Sequence, residues 1–306
     1  MSNTILPTSD PLVRQALALI RLQVLTPLSV LVSIGATLVC AVVVRPTMGE
    51  ISRNHPTSVS PLGVMVGVYW LILWVGLVGY CILLVMARKE ETKATIVHGV
   101  GLRLVLANWL IAFWSIAFAL EFFVTSVILL SLTLLLFLSI FLTLLLHPPH
   151  TSRPLDYVFI HVPMRMLVMG TLVQGLPLGV FLAAGWVDNL HAPEGGGNVE
   201  WGKYAWPAFG FIIGLNSLAL IEVALLKDLP TALSGTWLVL SVGLARPKPT
   251  PVFIAVILFA VLYPLVWIAA FAWGRLRRAD AGRIVLPEQT EGEGEREGLA
   301  REEAGV

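Results

Sequence analysis

The sequence predicts an all-α integral membrane protein: a bundle of about eight transmembrane helices followed by a disordered acidic C-terminal tail. Three observations predict it. Eight apolar runs fill the chain from Val24 to Trp273, most of them near the roughly 20 residues that one helix needs to cross a bilayer. Hydrophobic residues make up 57% and charged residues 13% of the 306, with a mean hydropathy of +0.85. Between Val97 and Leu146 only His98, Arg103 and Glu121 can carry a charge, too few for the surface of a water-soluble domain.

The elements follow in order. Residues 1–23 form a polar N-terminus in which Pro11–Gln23, with Arg14 and Arg21 among its leucines, suits an interfacial helix. Span one covers Val24–Val44 and stops at Arg45-Pro46. Span two, Pro61–Met86, opens on a proline fit for a first helical turn and closes at Arg88-Lys89-Glu90-Glu91. Spans three (Val100–Leu120) and four (Phe123–Leu146) meet at a bend marked by Glu121, and Pro148-Pro149 ends the second of them. Span five, Val158–Trp186, is too long to cross untilted at about 1.5 Å per residue. It contains Pro163, Gly170, Gly175 and Pro177. Span six is Tyr204–Leu226. Span seven, Leu229–Ala245, is near the lower length limit and starts with Asp228 as cap and an early Pro230. Span eight is Val252–Trp273. One helical domain thus occupies 24–274, and 275–306 is a basic juxtamembrane segment with an acidic tail. Seven of the 19 acidic residues lie between Glu288 and Glu303, and such a tail cannot bury enough apolar surface to fold.

Lysines and arginines near span ends favour the cytoplasm. Ten of them, from Arg14 to Arg278, flank the side that holds both termini if there are eight spans. Five (Arg45, Arg53, Lys203, Arg246 and Lys248) flank the other. Both termini are therefore expected in the cytoplasm; which membrane is meant the sequence does not say.

Composition excludes several classes. No basic run exceeds Arg275–Arg278, so nucleic acid is not a partner; membrane lipids are. Cys40 and Cys81 both sit in apolar runs and form no disulfide framework. No cofactor motif is present and no metal is expected: His147-Pro-Pro-His150 lacks a third ligand nearby. Gly195-Gly196-Gly197 reads as a flexible loop, and Asp188 and Glu200 as ordinary solvated charges on the same outer loop.

Ionisable groups inside a membrane are costly and point to function. Arg165 lies about two turns into span five from the cytoplasmic side and Glu222 little more than one turn from the cytoplasmic end of span six, so the hairpin sets them at similar depth. His161 shares the Arg165 face by its four-residue spacing. Arg103 and Asn108 enter span three from the same side, and Asn216 sits deeper in span six. Together they suit a polar, cytoplasm-facing cavity; the alternative is that the arginines snorkel to headgroups and Glu222 pairs with one of them. Gly175-Leu176-Pro177, beside Gln174, fits either a substrate-binding helix break or a kink. The pairs Gly63/Gly67, Gly175/Gly179 and Gly210/Gly214 have the spacing that brings helices close, inside one chain or in a homo-oligomer. Trp186, Trp201, Trp206 and Trp273 read as an interfacial belt. Trp70, Trp74, Trp109 and Trp114 lie too deep for that, and read either as core or as the wall of a pocket for a small apolar ligand.

Pro61-x-Gly63, then Val68-Tyr69-Trp70 and Trp74, with Asn108-Trp109 and Trp114 on the next span, resembles the tryptophan-rich sensory protein (translocator protein) superfamily. Pro163 and Trp237 stand where that family has a later proline-led helix and a late tryptophan. Ala87-Arg88-Lys89-Glu90-Glu91-Thr92 and Val100-Gly101-Leu102-Arg103 are similar to uncharacterised fungal multi-pass membrane proteins, and the likeness spans most of Ser58–Trp273. The resemblance implies binding of a tetrapyrrole, a sterol or a related apolar ligand within a helical bundle. The leading expectation is thus a non-enzymatic protein that binds or moves a small apolar or amphipathic molecule. A membrane-embedded enzyme of lipid or terpenoid chemistry, using Glu222, Arg165 or His161, and a membrane-complex scaffold or assembly subunit stand as alternatives.

Overall fold

The structure, a computed structural model, describes residues 11–148, 153–188, 202–245 and 248–281, leaving out the side chains of 11–13, 15 and 277–281. The acidic tail, the triglycine, Trp201, Glu200 and His150 lie outside the described residues. Everything regular within them is helical. Among the described residues seven helices are long and apolar enough to cross a membrane, and a further apolar helix, Leu229–Leu244, is shorter. This is an all-α, multi-pass, integral membrane protein.

Helix α1 runs Pro11–Leu38 and ends in a π turn, Val39–Val43. The predicted interfacial segment and span one are therefore one continuous helix. A short α2, Met48–Asn54, follows, held by a reciprocal cap in which Thr47 Oγ1 accepts from the Glu50 N–H and Glu50 accepts from the Thr47 N–H. That backbone donor is the main reason the Glu50 carboxyl lies below its usual range. Helix α3 is Gly63–Met86; α4, Glu90–Ala94, passes through a π turn (Thr95–Val100) into α5, Gly101–Ala119. The junction needs Gly101, whose φ of +57° strains any residue with a Cβ. Glu121, at φ +59°, turns the chain into α6, Phe123–Leu145.

Span five holds the centre. It consists of α7 (Pro154–Asp156), a π turn (Tyr157–His161), α8 (Val162–Met169), a second π turn (Gly170–Gly175) and α9 (Leu176–Ala183). Each π turn immediately precedes a proline-bearing turn, Pro163 and Pro177. A proline ring clashes with the carbonyl four residues back and offers it no N–H; the wider π turn relieves that clash and the helix continues. Gly175-Leu176-Pro177 is thus a local widening within a continuous helix. Every residue from Pro163 to Met169 is buried. Gly76 of α3 receives the Pro163 ring, Gly79 receives Phe159, and Tyr69 packs on Gly170, close approaches that small residues permit between membrane helices. The Tyr69 hydroxyl also donates to the Met166 carbonyl at 2.7 Å.

Helices α10 (Ala205–Leu226), α11 (Leu229–Leu244) and α12 (Thr250–Ala281) complete the bundle. Lys227, in a left-handed conformation at φ +55°, reverses the chain between α10 and α11. Helix α11 lies against α3, α8 and α10. Its first turn sits with Arg165 and Glu222, its Trp237 indole N–H donates to the Met65 carbonyl, and its Ser241 carbonyl accepts from the Leu62 N–H. At about 1.5 Å per residue its 16 residues rise roughly 24 Å, and they run from one charged layer of the bundle to the other. Tyr263 and Val256 of α12 pack directly on Gly235 and Gly243 of α11. The chain divides into two compact units, Met1–Trp267 and Ile268–Val306; in the second, the Arg275 guanidinium stacks on the Phe271 ring.

Candidate functional site

The polar face of span five begins at the end of the bundle that holds Glu90 and Glu91. Arg153 pairs with Glu91 at 2.7 Å and with Asp156 at 3.3 Å, and Asp156 accepts from the Thr92 hydroxyl. Four-residue steps then place Tyr157, His161 and Arg165 on one face, with the Tyr157 and His161 rings stacked.

Arg165 is 8% exposed. Its Nη1 donates to Glu222 Oε1 at 2.6 Å, its Nε lies 3.9 Å from Asp228 Oδ2, and the Phe141 ring of α6 covers the guanidinium at 4.4 Å. Thr231 joins the two carboxylates: its hydroxyl oxygen is 3.1 Å from Glu222 Oε1 and also in hydrogen-bond contact with Asp228 Oδ2. Asp228 caps α11 through the Thr231 N–H as well. Among the described residues Nη2 of Arg165 has no hydrogen-bond partner, so this buried guanidinium keeps donors to spare. Helices α6, α8, α10 and α11 all contribute to this centre. Sequence reasoning had Arg165, Glu222 and His161 but not Asp228 or Thr231. Their signal was the cap motif itself, which places an acidic side chain at the start of α11, directly after span six.

The other candidate residues lie elsewhere. Asn108 is fully buried, donating to Ser29 of α1 at 3.1 Å while its side-chain oxygen has no partner among the described residues. Asn216 donates to the Ile212 carbonyl and accepts from the Tyr263 hydroxyl at 2.9 Å. Arg103 bonds the His98, Gly99 and Ser139 carbonyls, tying α5 to α6. Trp70 and Trp74 pack against the main core from α3. Trp109 is 37% exposed and leans on Phe113. Trp114 meets Phe118 and reaches the small cluster of Ile51 and Leu182. Helix α5 packs on α1 and α6, and α3 on α1, α8 and α11; Trp70, Trp74 and Trp114 all pack against the same main core. A cavity of about 520 Å³ lies between α1 and α4, lined by Ala16, Leu19, Glu90, Glu91, Lys93, Ala94 and Val97. An apolar recess of about 290 Å³ lies between α1 and α5, at Gly35, Cys40 and Ala119. Of the glycine pairs, Gly175/Gly179 is taken up inside the chain by Leu130 and Val127, whereas Gly63/Gly67 and Gly210/Gly214 meet nothing within 4 Å.

One expectation is corrected. Asp188 is not a solvated loop charge: it is 5% exposed, its backbone N–H donates to the Pro56 carbonyl, and its carboxylate accepts from Ser58. Lys248 completes this second charged layer, its ammonium donating to the carbonyls of Thr57, Ser58 and Ser60 at 2.7–3.3 Å. Burial pushes Lys248 down to about 8, with nearby Asp188 pulling the other way. Among the described residues no three His, Cys, Asp or Glu side chains stand close enough to share a metal ion.

These features define a helical membrane protein with an ion cluster buried among its spans. A family model described as TSPO-like protein matches residues 23–187, just over half of the chain, and the chain belongs to that family. Searches of curated proteins and of solved structures return no match. The matched region runs from within the first candidate span through the fifth, with Arg165 and Phe141; Glu222, Asp228, Thr231 and Trp237 lie beyond it.

Proposed function

We propose that this TSPO-like protein binds, and moves within the membrane, a small amphipathic molecule whose polar group engages the Arg165 centre. One observation carries the reading: a buried guanidinium with unused donors, flanked by an aromatic face, at the inner end of a polar ladder that starts at the bundle edge. Buried charge inside a membrane bundle is rare and typically serves a ligand or ion path. A planar fork of donors suits an oxygen-bearing head group, and the surrounding apolar helices suit an apolar body. Family membership supports the same class of function.

The test is saturable quenching of intrinsic tryptophan fluorescence in purified full-length protein, titrated with a porphyrin and with a sterol-like probe. Arg165→Lys keeps the charge but loses the fork, and is expected to weaken binding at least about tenfold, the effect of about 1.4 kcal/mol. Trp70→Leu with Trp109→Leu reads the tryptophan wall separately and is expected to retain saturable binding. Quenching that never saturates, or that ignores Arg165→Lys, would overturn this placement of the ligand.

A further inference from the structure

A seam of small polar side chains runs between α1 and α5, apart from the Arg165 centre. Thr26, Ser29, Ser33 and Thr37 follow one another at helical spacing on one face of α1. Helix α1 packs on α5, and two polar contacts cross between them. Asn108 Nδ2 donates to Ser29 Oγ at 3.1 Å, and the Thr37 and Ser115 hydroxyls meet at 2.9 Å. At the Thr37 end both hydroxyls also reach a carbonyl of their own helix.

The Thr26 end is different. Thr26 is 1% exposed, and Ser29 and Asn108 are 0%. Thr26 Oγ1 and the Asn108 side-chain oxygen have no hydrogen-bond partner among the described residues. Turning the amide over only moves the deficit to its nitrogen. Both groups meet at Ser29, whose hydroxyl accepts from Asn108 and donates to the Thr26 carbonyl at 2.9 Å. A third polar atom comes from the backbone. Pro27 lies inside α1 and has no N–H, so the Gln23 carbonyl four residues back lacks its usual helical donor. Gln23 and Thr26, three apart, share a face of the helix. Polar atoms left unmatched inside a membrane bundle cost several kcal/mol each, and buried water is the common remedy.

We infer that the α1–α5 seam binds one water molecule inside the bundle, held by the Thr26 hydroxyl, the Gln23 carbonyl and the Asn108 carboxamide. A buried water typically makes about three hydrogen bonds, and here the hydrogens balance. The Thr26 hydroxyl donates to the water, and the water donates to the Asn108 oxygen and to the Gln23 carbonyl. It thereby replaces the helical hydrogen bond that Pro27 denies α1, and it fastens α1 to α5 at the same level. The site is separate from the Arg165 centre and does not rest on the function proposed above.

NMR of the full-length protein in detergent, isotopically labelled at nitrogen in its asparagines, reads the water directly. The Asn108 carboxamide is the signal lost in Asn108→Leu. A water held beside it gives a through-space cross-peak from the water resonance to that carboxamide, with the sign of a slowly tumbling pair. The peak is expected in the wild type. It is expected to persist in Ser29→Ala, which removes the hydroxyl that could relay exchanged hydrogens to the amide. It is expected to be lost in Thr26→Val, where the water loses its donor. Absence of the peak in the wild type overturns the proposal. Its loss in Ser29→Ala, the mark of a hydroxyl relay, overturns it as well, as does its survival in Thr26→Val. Should Thr26→Val fail to fold by circular dichroism, Thr26→Ser keeps the hydroxyl; the peak must remain there, and its loss overturns the proposal too.

Discussion

Arg165 is a buried cation and Lys248 a half-buried one, and their surroundings assign them different behaviour. Arg165 has Glu222 at 2.6 Å and Asp228 at 3.9 Å, so removing the guanidinium strands buried carboxylates at about 3–5 kcal/mol, whereas removing Glu222 leaves Asp228 as a second partner and is expected to cost less. Glu222→Gln and Arg165→Gln should each lower the thermal midpoint in detergent, and the double variant should lose less than the two singles summed. Strictly additive losses would mean that the pair does not form in solution. Lys248 is held by carbonyl oxygens instead, and burial lowers it to about 8. The sign follows from linkage: between about 8 and the ordinary lysine value near 10.4 the unfolded chain carries the extra proton, so this group makes the fold more stable as pH rises through that window. The midpoint of the wild type should rise relative to Lys248→Met from pH 8 to 10; a flat difference would show Lys248 titrating normally. The Arg165–Glu222 contact was legible from sequence because counting turns from the ends of adjacent spans fixes depth. The burial of Asp188 was not, because it depends on Ser58, 130 residues away in sequence, closing over a loop that reads as polar.

At the scale of elements, the apolar runs gave the helices almost unaided, since a bilayer-length stretch has few alternatives to a helix in lipid. Adjacency was harder. Nothing in the runs says that α5 packs on α1 and α6 rather than on α3, so the spacing of tryptophans on two spans could not reveal whether they share a wall. Short helix α2 was overlooked although Thr47-Met48-Gly49-Glu50 is a capping-box pattern, because it interrupts a loop between long apolar spans. Glycine pairs were read by spacing, but the close contacts are made at single glycines opposite one ring or branch: Gly79 under Phe159, Gly235 under Tyr263 and Gly243 under Val256. Gly235→Ala is expected to overpack the α11–α12 contact and cost about 1–3 kcal/mol. Gly67→Ala and Gly214→Ala place a Cβ in open space and should be neutral or gain up to about 1 kcal/mol of helix propensity. Thermal midpoints of the three variants in detergent check the ordering. Destabilisation at Gly67 or Gly214 matching that at Gly235 would show that those edges are covered by another helix, as in a homo-oligomer.

At the scale of the whole molecule, the decisive element is α11, an apolar helix below the usual spanning length. Its burial explains how so short a helix can serve: Pro230, Thr231, Ser234, Gly235, Leu238, Val239 and Ser241 face protein rather than lipid, so lipid thickness does not dictate its length as it does for an exposed span. Its ends touch the Arg165 layer and the Leu62 layer, which fits a full crossing. We therefore expect eight crossings with both termini on the cytoplasmic side, in agreement with the ten-to-five division of lysine and arginine. Reporter tags inserted at Ser2, at Gly196 and after Arg301 should read inside, outside and inside. If α11 entered and left on one side, the tag after Arg301 would report the side opposite to Ser2. The Lys248 layer would then face the same compartment as the Arg165 layer, an arrangement at odds with the contacts α11 makes at its two ends.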